Sequence, residues 1–197
     1  MATIGVLGLQ GAISEHVSQI EATGQTAVIV KHADQLAEID GLVLPGGEST
    51  TMQKLMDRYD FIEPILQFAK QGKPIFGTCA GMVLLAKKVS GSDNPHLQLI
   101  DIEVCRNAFG RQRESFEAAI TINGLVKEFN AIFIRAPYAE NAGVEVEILA
   151  TYEGKIVVAK QGNILVSAFH PELTDDTRLM QYFNAMVEQT IKTKVEV

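Results

Sequence analysis

The sequence predicts a three-layer α/β fold: a doubly wound, mostly parallel β-sheet with an antiparallel extension in its second half. Three observations predict it. Short apolar runs rich in β-branched residues alternate with helical periods through the first half of the chain, as parallel strands buried on both faces and joined by crossover helices should. The second half changes to alternation, with Val144, Val146 and Ile148 separated by Glu145 and Glu147 and followed by Gly-containing turns, as in an antiparallel meander. Finally, 197 residues with 47% apolar side chains suit one globular unit, here residues 1–197. A chain of this size buries roughly 70% of its unfolded surface without a disulfide or metal to hold the core.

The elements follow in order. Ile4 to Leu9, Ala27 to Val30, Leu42 to Leu44 and Pro74 to Phe76 read as the parallel strands. Ile13, Val17 and Ile20 fall at i, i+4 and i+7 and stop at Gly24, while Ile62, Ile65, Leu66 and Ala69 repeat the helical spacing and stop at Gly72; glycine is the usual left-handed helix terminator. Asp60 and Glu63 are spaced as a capping box for the second of these helices, and Pro64 falls in its first turn, where amides lack helical partners anyway. Ile156 to Ala159 and Ile164 to Phe169 continue the meander, one face of which is expected to be wet. Leu179, Met180, Phe183, Met186 and Val187 form a closing helical stripe for packing on the sheet.

Seventeen Lys and Arg against 24 Asp and Glu leave a net charge of −7. That disfavours nucleic acid as a partner, because sequence-independent binding neutralises phosphates with cations. No apolar run approaches the ~20 residues a bilayer span needs, and Met1 to Gln10 carries no basic lead. A soluble, cytoplasmic protein with no membrane partner is expected. Cys79 and Cys105 have no spacing suited to a disulfide framework or a zinc site, which points to a reducing compartment and to no bound metal.

Gly77-Thr78-Cys79-Ala80-Gly81 directly follows the fourth strand and precedes the apolar helical run Met82 to Ala86. This is a nucleophile elbow with sulfur in place of oxygen, whose small flanking residues permit a tight turn that lifts the reactive side chain over the sheet edge. At the N-terminus of the next helix, unpaired amides and the helix dipole favour the thiolate, the attacking form. His170 leaves the late strand at its end, where open sheets place ligands, and Glu172 lies two residues further on. An imidazole there can take the thiol proton, and a carboxylate can orient the ring and stabilise its cation. His16, His32 and His96 lack such contexts and are expected on solvated surface, and Cys105 is expected as a small buried hydrophobe.

Pro45-Gly46-Gly47-Glu48-Ser49-Thr50 lies between the third strand and a helical segment carrying Met52, Leu55 and Met56. Its glycines let backbone amides, that of Gly47 among them, face a ligand. With the Ala80 amide just after the nucleophile they can stabilise an oxyanion, each donor being worth about 10²- to 10³-fold in rate. A plain glycine turn with Ser49 or Thr50 capping a helix is the other reading of this loop.

Together the elbow, the glycine loop and Phe169-His170-Pro171-Glu172 resemble the class I, or triad, glutamine amidotransferases, whose fold is flavodoxin-like. Gly8-Leu9-Gln10-Gly11-Ala12, Arg106-Asn107-Ala108-Phe109-Gly110-Arg111-Gln112, Phe133-Ile134-Arg135-Ala136-Pro137 and the Thr50 continuation of the glycine loop narrow the likeness. They are similar to the family of glutaminase subunits of pyridoxal 5′-phosphate synthase, over essentially the whole chain. The resemblance implies hydrolysis of L-glutamine to L-glutamate and ammonia, with ammonia passed to a separate synthase subunit that makes pyridoxal 5′-phosphate in vitamin B6 biosynthesis. It implies no cofactor on this chain, pyridoxal phosphate included.

By the same resemblance Cys79 attacks the side-chain amide carbon, His170 activates the thiol and protonates the departing ammonia, and Glu172 orients His170. Gly47, Glu48, Ser49, Arg106, Ile134 and Arg135 contact substrate, and Gln10 joins Gly47 and Ala80 in an oxyanion hole that depends on the partner. The charges suit the substrate, since glutamine presents an α-carboxylate and an α-ammonium to be met by a cation and an acceptor. Free ammonia in neutral water is mostly protonated and no longer nucleophilic, so a docked acceptor is expected, with low activity in its absence.

Three alternatives stay open on sequence. Another triad glutaminase, such as the subunit feeding imidazole glycerol phosphate synthesis, would use the same chemistry. A non-catalytic interaction or redox protein would keep Cys79 for packing or sensing, and a cysteine peptidase or thiol chaperone would share the topology.

Overall fold

The computed structural model describes residues 1–92, 96–106 and 114–195. In chain order the first half runs β1 (Thr3–Leu7), α1 (Ile13–Ala22), β2 (Thr26–Val30), a 3-10 turn at Ala33–Glu38, β3 (Gly41–Leu44), α2 (Ser49–Arg58), α3 (Ile62–Lys70), β4 (Ile75–Thr78), α4 (Ala80–Leu85) and β5 (Ala86–Val89). The second half runs β6 (Ile100–Cys105), β7 (Ser115–Ile120), β8 (Phe129–Ile134), β9 (Tyr138–Ala142), β10 (Glu147–Tyr152), β11 (Lys155–Gln161), β12 (Ile164–Ser167), a 3-10 turn at Pro171–Leu173 and α5 (Arg178–Val195).

Among the described residues the main sheet is ordered β2-β1-β3-β4-β12-β11-β9-β6-β5, with β10 paired on β11 and β7-β8 as a separate hairpin. From β2 to β12 the pairs are parallel. That is the 2-1-3-4-5 order of flavodoxin-like doubly wound sheets, with β12 as the fifth strand. Beyond β12 the pairing turns antiparallel through β11, β9 and β6, and β5 returns parallel to β6. The expected mostly parallel sheet with an antiparallel extension is present.

Burial explains the strand sequences. Every residue of β3 (GLVL), β4 (IFGT) and β12 (ILVS) is buried, which is why these central strands read as unbroken apolar runs. The edge strand β2 exposes part of its length. On α5, Leu179, Met180, Phe183 and Val187 are fully buried, each such side chain contributing about 1.5–3 kcal/mol by leaving water. Met186 of the same stripe is only half-buried.

Two sequence expectations are corrected. The capping box at Asp60 and Glu63 does not form: the residue before α3 is Phe61, with no side-chain cap. Asp60 instead sits at φ +55° and closes α2, with the Phe61 amide donating to the Met56 carbonyl at 2.9 Å and the Asp60 amide to the Asp57 carbonyl at 3.3 Å. This is a Schellman end, which takes precedence because it satisfies two carbonyls of the preceding helix. The alternation from Val144 begins too early: Val144 is fully exposed on a turn closed by the Val146 amide and the Gly143 carbonyl at 3.0 Å, and β10 starts at Glu147.

An aromatic cluster ties the β7-β8 hairpin to the end of β12. Phe133 stacks on Phe116 at 4.6 Å and meets Phe169 edge-on at 5.5 Å, and Phe129 also packs on Phe169 at 5.6 Å. Such pairs add about 0.5–1.5 kcal/mol each beyond area burial. They fix the chain immediately before His170.

Candidate active site

The carboxyl ends of β1, β3, β4 and β12 converge on a cavity of about 430 Å³ lined by residues that include Gln10, Gly47, Glu48, Ser49, Cys79, Ala80, Arg106, Ile134, Arg135 and His170. This is the position at which open α/β sheets receive ligands, and the volume is that of a small-molecule pocket.

Cys79 stands at the turn from β4 into α4 with φ +48° and ψ −101°, a conformation a non-glycine residue adopts only under constraint. The constraint is visible: its amide donates to the Ser167 carbonyl at 2.8 Å. The flanking glycines have a different role from the one the sequence suggests. Neither has positive φ. A Cβ on Gly77 would meet the Gly81 carbonyl carbon at 2.6 Å, and one on Gly81 would press on the Leu44 backbone. They are small so that α4 can lie against β3 and β4, while the strain falls on the cysteine itself. The Ala80 amide, first in the helix, has no intrahelical partner.

His170 follows β12, its amide donating to the Ile132 carbonyl at 2.8 Å, so β8 fixes its backbone. The ring Nδ1 is 2.7 Å from Glu172 Oε1. Burial lowers the basicity of this imidazole, but the Cys79 sulfur and the Glu172 carboxylate, by hydrogen bonding and charge, outweigh it and raise the pKa to about 10. The ring therefore holds its proton at neutral pH. Glu172 lies below the usual carboxylate range because His16 and His170 outweigh its own burial. The Cys79 sulfur lies 3.9 Å from the Ile134 carbonyl oxygen.

The glycine loop is braced from the segment after β1. The Ala12 amide donates to the Gly46 carbonyl and the Glu48 amide to Gln10 Oε1, each at 2.9 Å, so both peptides flanking Gly47 are held. Gly11, at φ +113°, has no room for a Cβ against Gly46. Neither Ser49 nor Thr50 caps α2. Glu48 does, accepting from the Thr50 and Thr51 amides at 3.0 and 2.8 Å and from the Thr51 hydroxyl at 2.6 Å. These bonds, led by that of the Thr51 hydroxyl, pull its pKa down to about 2. Arg106 Nη1 donates to the Thr50 hydroxyl at 3.3 Å, and Arg135, at φ +46°, is pinned by its amide on the Glu114 carbonyl at 2.6 Å. Positions 107–112 of the segment Arg106 to Gln112 lie outside the described residues.

The other histidines divide. His32 is exposed as expected, and His96 is half-buried. His16 is not on solvated surface at all: it is fully buried, with Nε2 2.9 Å from Thr78 Oγ1 and 3.4 Å from Glu172 Oε2. It stands three residues after Ile13 and four before Ile20, the apolar face of α1, and that spacing was the available signal. Cys105 is half-buried, not buried, and both cysteines are free thiols.

The model of the SNO glutamine amidotransferase family matches residues 6–189 of this chain. The chain belongs to that family. The pyridoxal 5′-phosphate synthase subunit PdxT of Anoxybacillus flavithermus is 60% identical over 190 residues, covering 96% of this chain and 99% of that protein. A crystal structure described as a glutamine amidotransferase superposes with a TM-score of 0.90 at 41% identity, covering 94% of this chain and 98% of its own. A putative GMP synthase protein from Thermoplasma acidophilum, at 18% identity, a TM-score of 0.70 and 98% coverage of both chains, shares the fold. Membership in the glutamine amidotransferase family decides between the thiol-hydrolase alternatives: the peptidase and chaperone readings fall away.

Proposed function

We propose that this chain hydrolyses L-glutamine to L-glutamate and ammonia with Cys79, His170 and Glu172 as its catalytic groups, and hands the ammonia to the synthase subunit of pyridoxal 5′-phosphate synthase for vitamin B6 biosynthesis. The observation that carries the chemistry is a cysteine held at φ +48° at a helix N-terminus, beside an imidazole whose pKa is raised to about 10 by that sulfur and by Glu172. The pathway rests on the likeness to the PdxT proteins at about 60% identity.

The thiolate of Cys79 adds to the side-chain amide carbon of glutamine, forming a C–S bond while the carbonyl π electrons move onto oxygen. The Ala80 and Gly47 amides receive that oxyanion, supported by Gln10, which holds the neighbouring Glu48 amide. The His170 imidazolium gives its proton to the nitrogen, the C–N bond breaks, and ammonia leaves a glutamyl thioester. Neutral His170 then takes a proton from water, the hydroxide adds to the thioester, and the C–S bond breaks to release glutamate and restore the thiolate and imidazolium. Glu172 holds Nδ1 throughout. Arg106 and Arg135 supply cations for the α-carboxylate, and Glu48, Ser49 and Ile134 line its surroundings.

A glutamine-like electrophile should label Cys79 in the intact chain. Glutamine hydrolysis should vanish in Cys79→Ala and rise when the wild-type chain is mixed with the synthase subunit. Labelling at Cys105 instead overturns the nucleophile assignment, and equal rates with and without the synthase overturn the partner.

A further inference from the structure

His16 is the one fully buried histidine among the described residues, and the mechanism above does not use it. We propose that His16 is a positioning residue that extends the triad: through Nε2–H it secures the outer oxygen of Glu172, and so holds the imidazolium of His170 against Cys79. This rests on the proposed glutaminase reading.

The tautomer follows from the surroundings. Nε2 faces two oxygens, Thr78 Oγ1 at 2.9 Å and Glu172 Oε2 at 3.4 Å, while buried Nδ1 has no hydrogen-bond partner among the described residues. A proton on Nδ1 would be a buried donor with nothing to meet, and would leave the Nε2 lone pair facing a carboxylate. A proton on Nε2 is donated to Thr78 Oγ1, turns the positive end of the N–H dipole toward Glu172 Oε2 and leaves only the Nδ1 acceptor unpaired. Burial lowers the pKa of this ring, against the opposing pull of Glu172 and Glu15 and with the help of His170. His16 thus faces the carboxylate with an N–H held by Thr78.

Glu172 needs such a donor. Its side chain is fully inaccessible, Oε1 is taken by His170 at 2.7 Å, and among the described residues Oε2 makes no hydrogen bond, with His16 Nε2 facing it from 3.4 Å. An ionised carboxylate buried with one oxygen unserved is strongly disfavoured. It would draw the proton from His170 and cancel the charge that favours the thiolate. The geometry is built to hold: His16 reaches Glu172 from α1, and Gln19, one turn on, donates its Nε2 to the Pro171 carbonyl at 2.7 Å. Just before the first turn of the same helix, the Ala12 amide holds the Gly46 carbonyl and Gln10 holds the Glu48 amide. One rigid element therefore registers the oxyanion loop against the base.

The experiment is the pH profile of Cys79 alkylation by iodoacetamide, read by mass on the Cys79 peptide so that Cys105 does not interfere. It is run in the full chain with wild type, His16→Leu and His16→Gln, alongside melting temperature and glutamine turnover in the synthase complex. For His16→Leu the midpoint of the alkylation profile should move up by about one pH unit, with a loss of roughly tenfold at neutral pH, the size expected for one donor to a charged group. kcat should fall while KM stays. His16→Gln, whose amide can place a donor near Nε2, should recover most of both. A wild-type profile in His16→Leu overturns the proposal, as does an equal loss in the two variants tracking their melting temperatures, which is a packing role. If wild type fails to hydrolyse glutamine, the glutaminase reading falls while the alkylation comparison still judges His16.

Discussion

Gly46→Ala tests the site geometry most directly. A Cβ built on Gly46 lies 2.8 Å from His170 Nδ1 and closer still to Cε1, with Cys79 Cβ at 3.5 Å. Carbon contacts settle near 3.5–4.0 Å, so the overlap is about 1 Å. The loop cannot easily yield, because the Gly46 carbonyl is held by the Ala12 amide at 2.9 Å. The ring is held too, by Glu172 at 2.7 Å and by its own backbone on Ile132. Whichever gives, the imidazole leaves its place by roughly 1 Å, a displacement that can lower turnover about 10²-fold, with about 1–3 kcal/mol of overpacking strain. Gly24→Ala separates the effects: at φ +79° with nothing within 4 Å of its Cβ, it carries a left-handed backbone penalty of about 1–2 kcal/mol far from the pocket. Glutamine turnover in the synthase complex and urea unfolding are the assays. Gly24→Ala should lose stability and keep kcat, and Gly46→Ala should lose kcat out of proportion to stability. A Gly46→Ala enzyme within twofold of wild type would refute the assigned packing of His170.

Other outcomes follow from the same contacts. His170 is raised from 6.5 to about 10, so between those values the folded state holds a proton that the unfolded chain has lost. Its stabilisation is complete below pH 6.5 and disappears as pH rises through 10; Cys79→Ala should flatten the urea-stability slope in that window, and an unchanged slope would count against the sulfur–imidazole pair. Glu48 has the opposite sign: its pKa falls from 4.5 to about 2, so its contribution is present above pH 4.5 and lost toward 2, and Glu48→Gln should flatten that acid slope in unfolding measurements. Glu48→Ala should cost about 1 kcal/mol as a lost N-cap. Gly81→Ala, facing the Leu44 backbone, should destabilise by about 1–3 kcal/mol, readable as a lower urea midpoint at unchanged m-value.

Much of this was legible in the sequence because it is local. Unbroken apolar runs become central strands, and the elbow context Gly77–Gly81 is a continuous piece of chain whose place between a strand end and a helix start follows from its neighbours, whereas the strain on Cys79 is held by the distant Ser167 carbonyl. What was not legible depends on competition or distance. Asp60 could cap the helix after it or terminate the one before it, and only the paired carbonyls of α2 decide. Glu48 outcompetes Ser49 and Thr50 as the cap because its longer side chain reaches two amides and a hydroxyl.

His16 is the sharpest case. Local pattern makes it one polar residue on an amphipathic helix, and its burial follows only when α1 is laid across the sheet so that residue 16 meets residue 172. A histidine at an apolar helical spacing is costly to bury unless something meets its proton. The partner it finds is the Thr78 hydroxyl at 2.9 Å, and the Glu172 carboxylate, 156 positions along the chain, lies only 3.4 Å away. Because the segment before α1 also braces the Gly46–Glu48 peptides, a displacement of this helix that reaches the glycine loop also reaches Glu172. On the roles proposed for Glu172 and the glycine loop, a docking partner that bears on α1 should therefore change acid–base chemistry and oxyanion stabilisation together. Partner stimulation should accordingly appear in kcat and in Cys79 alkylation alike; a synthase that raises turnover while leaving alkylation untouched would show the two halves of the site to be uncoupled.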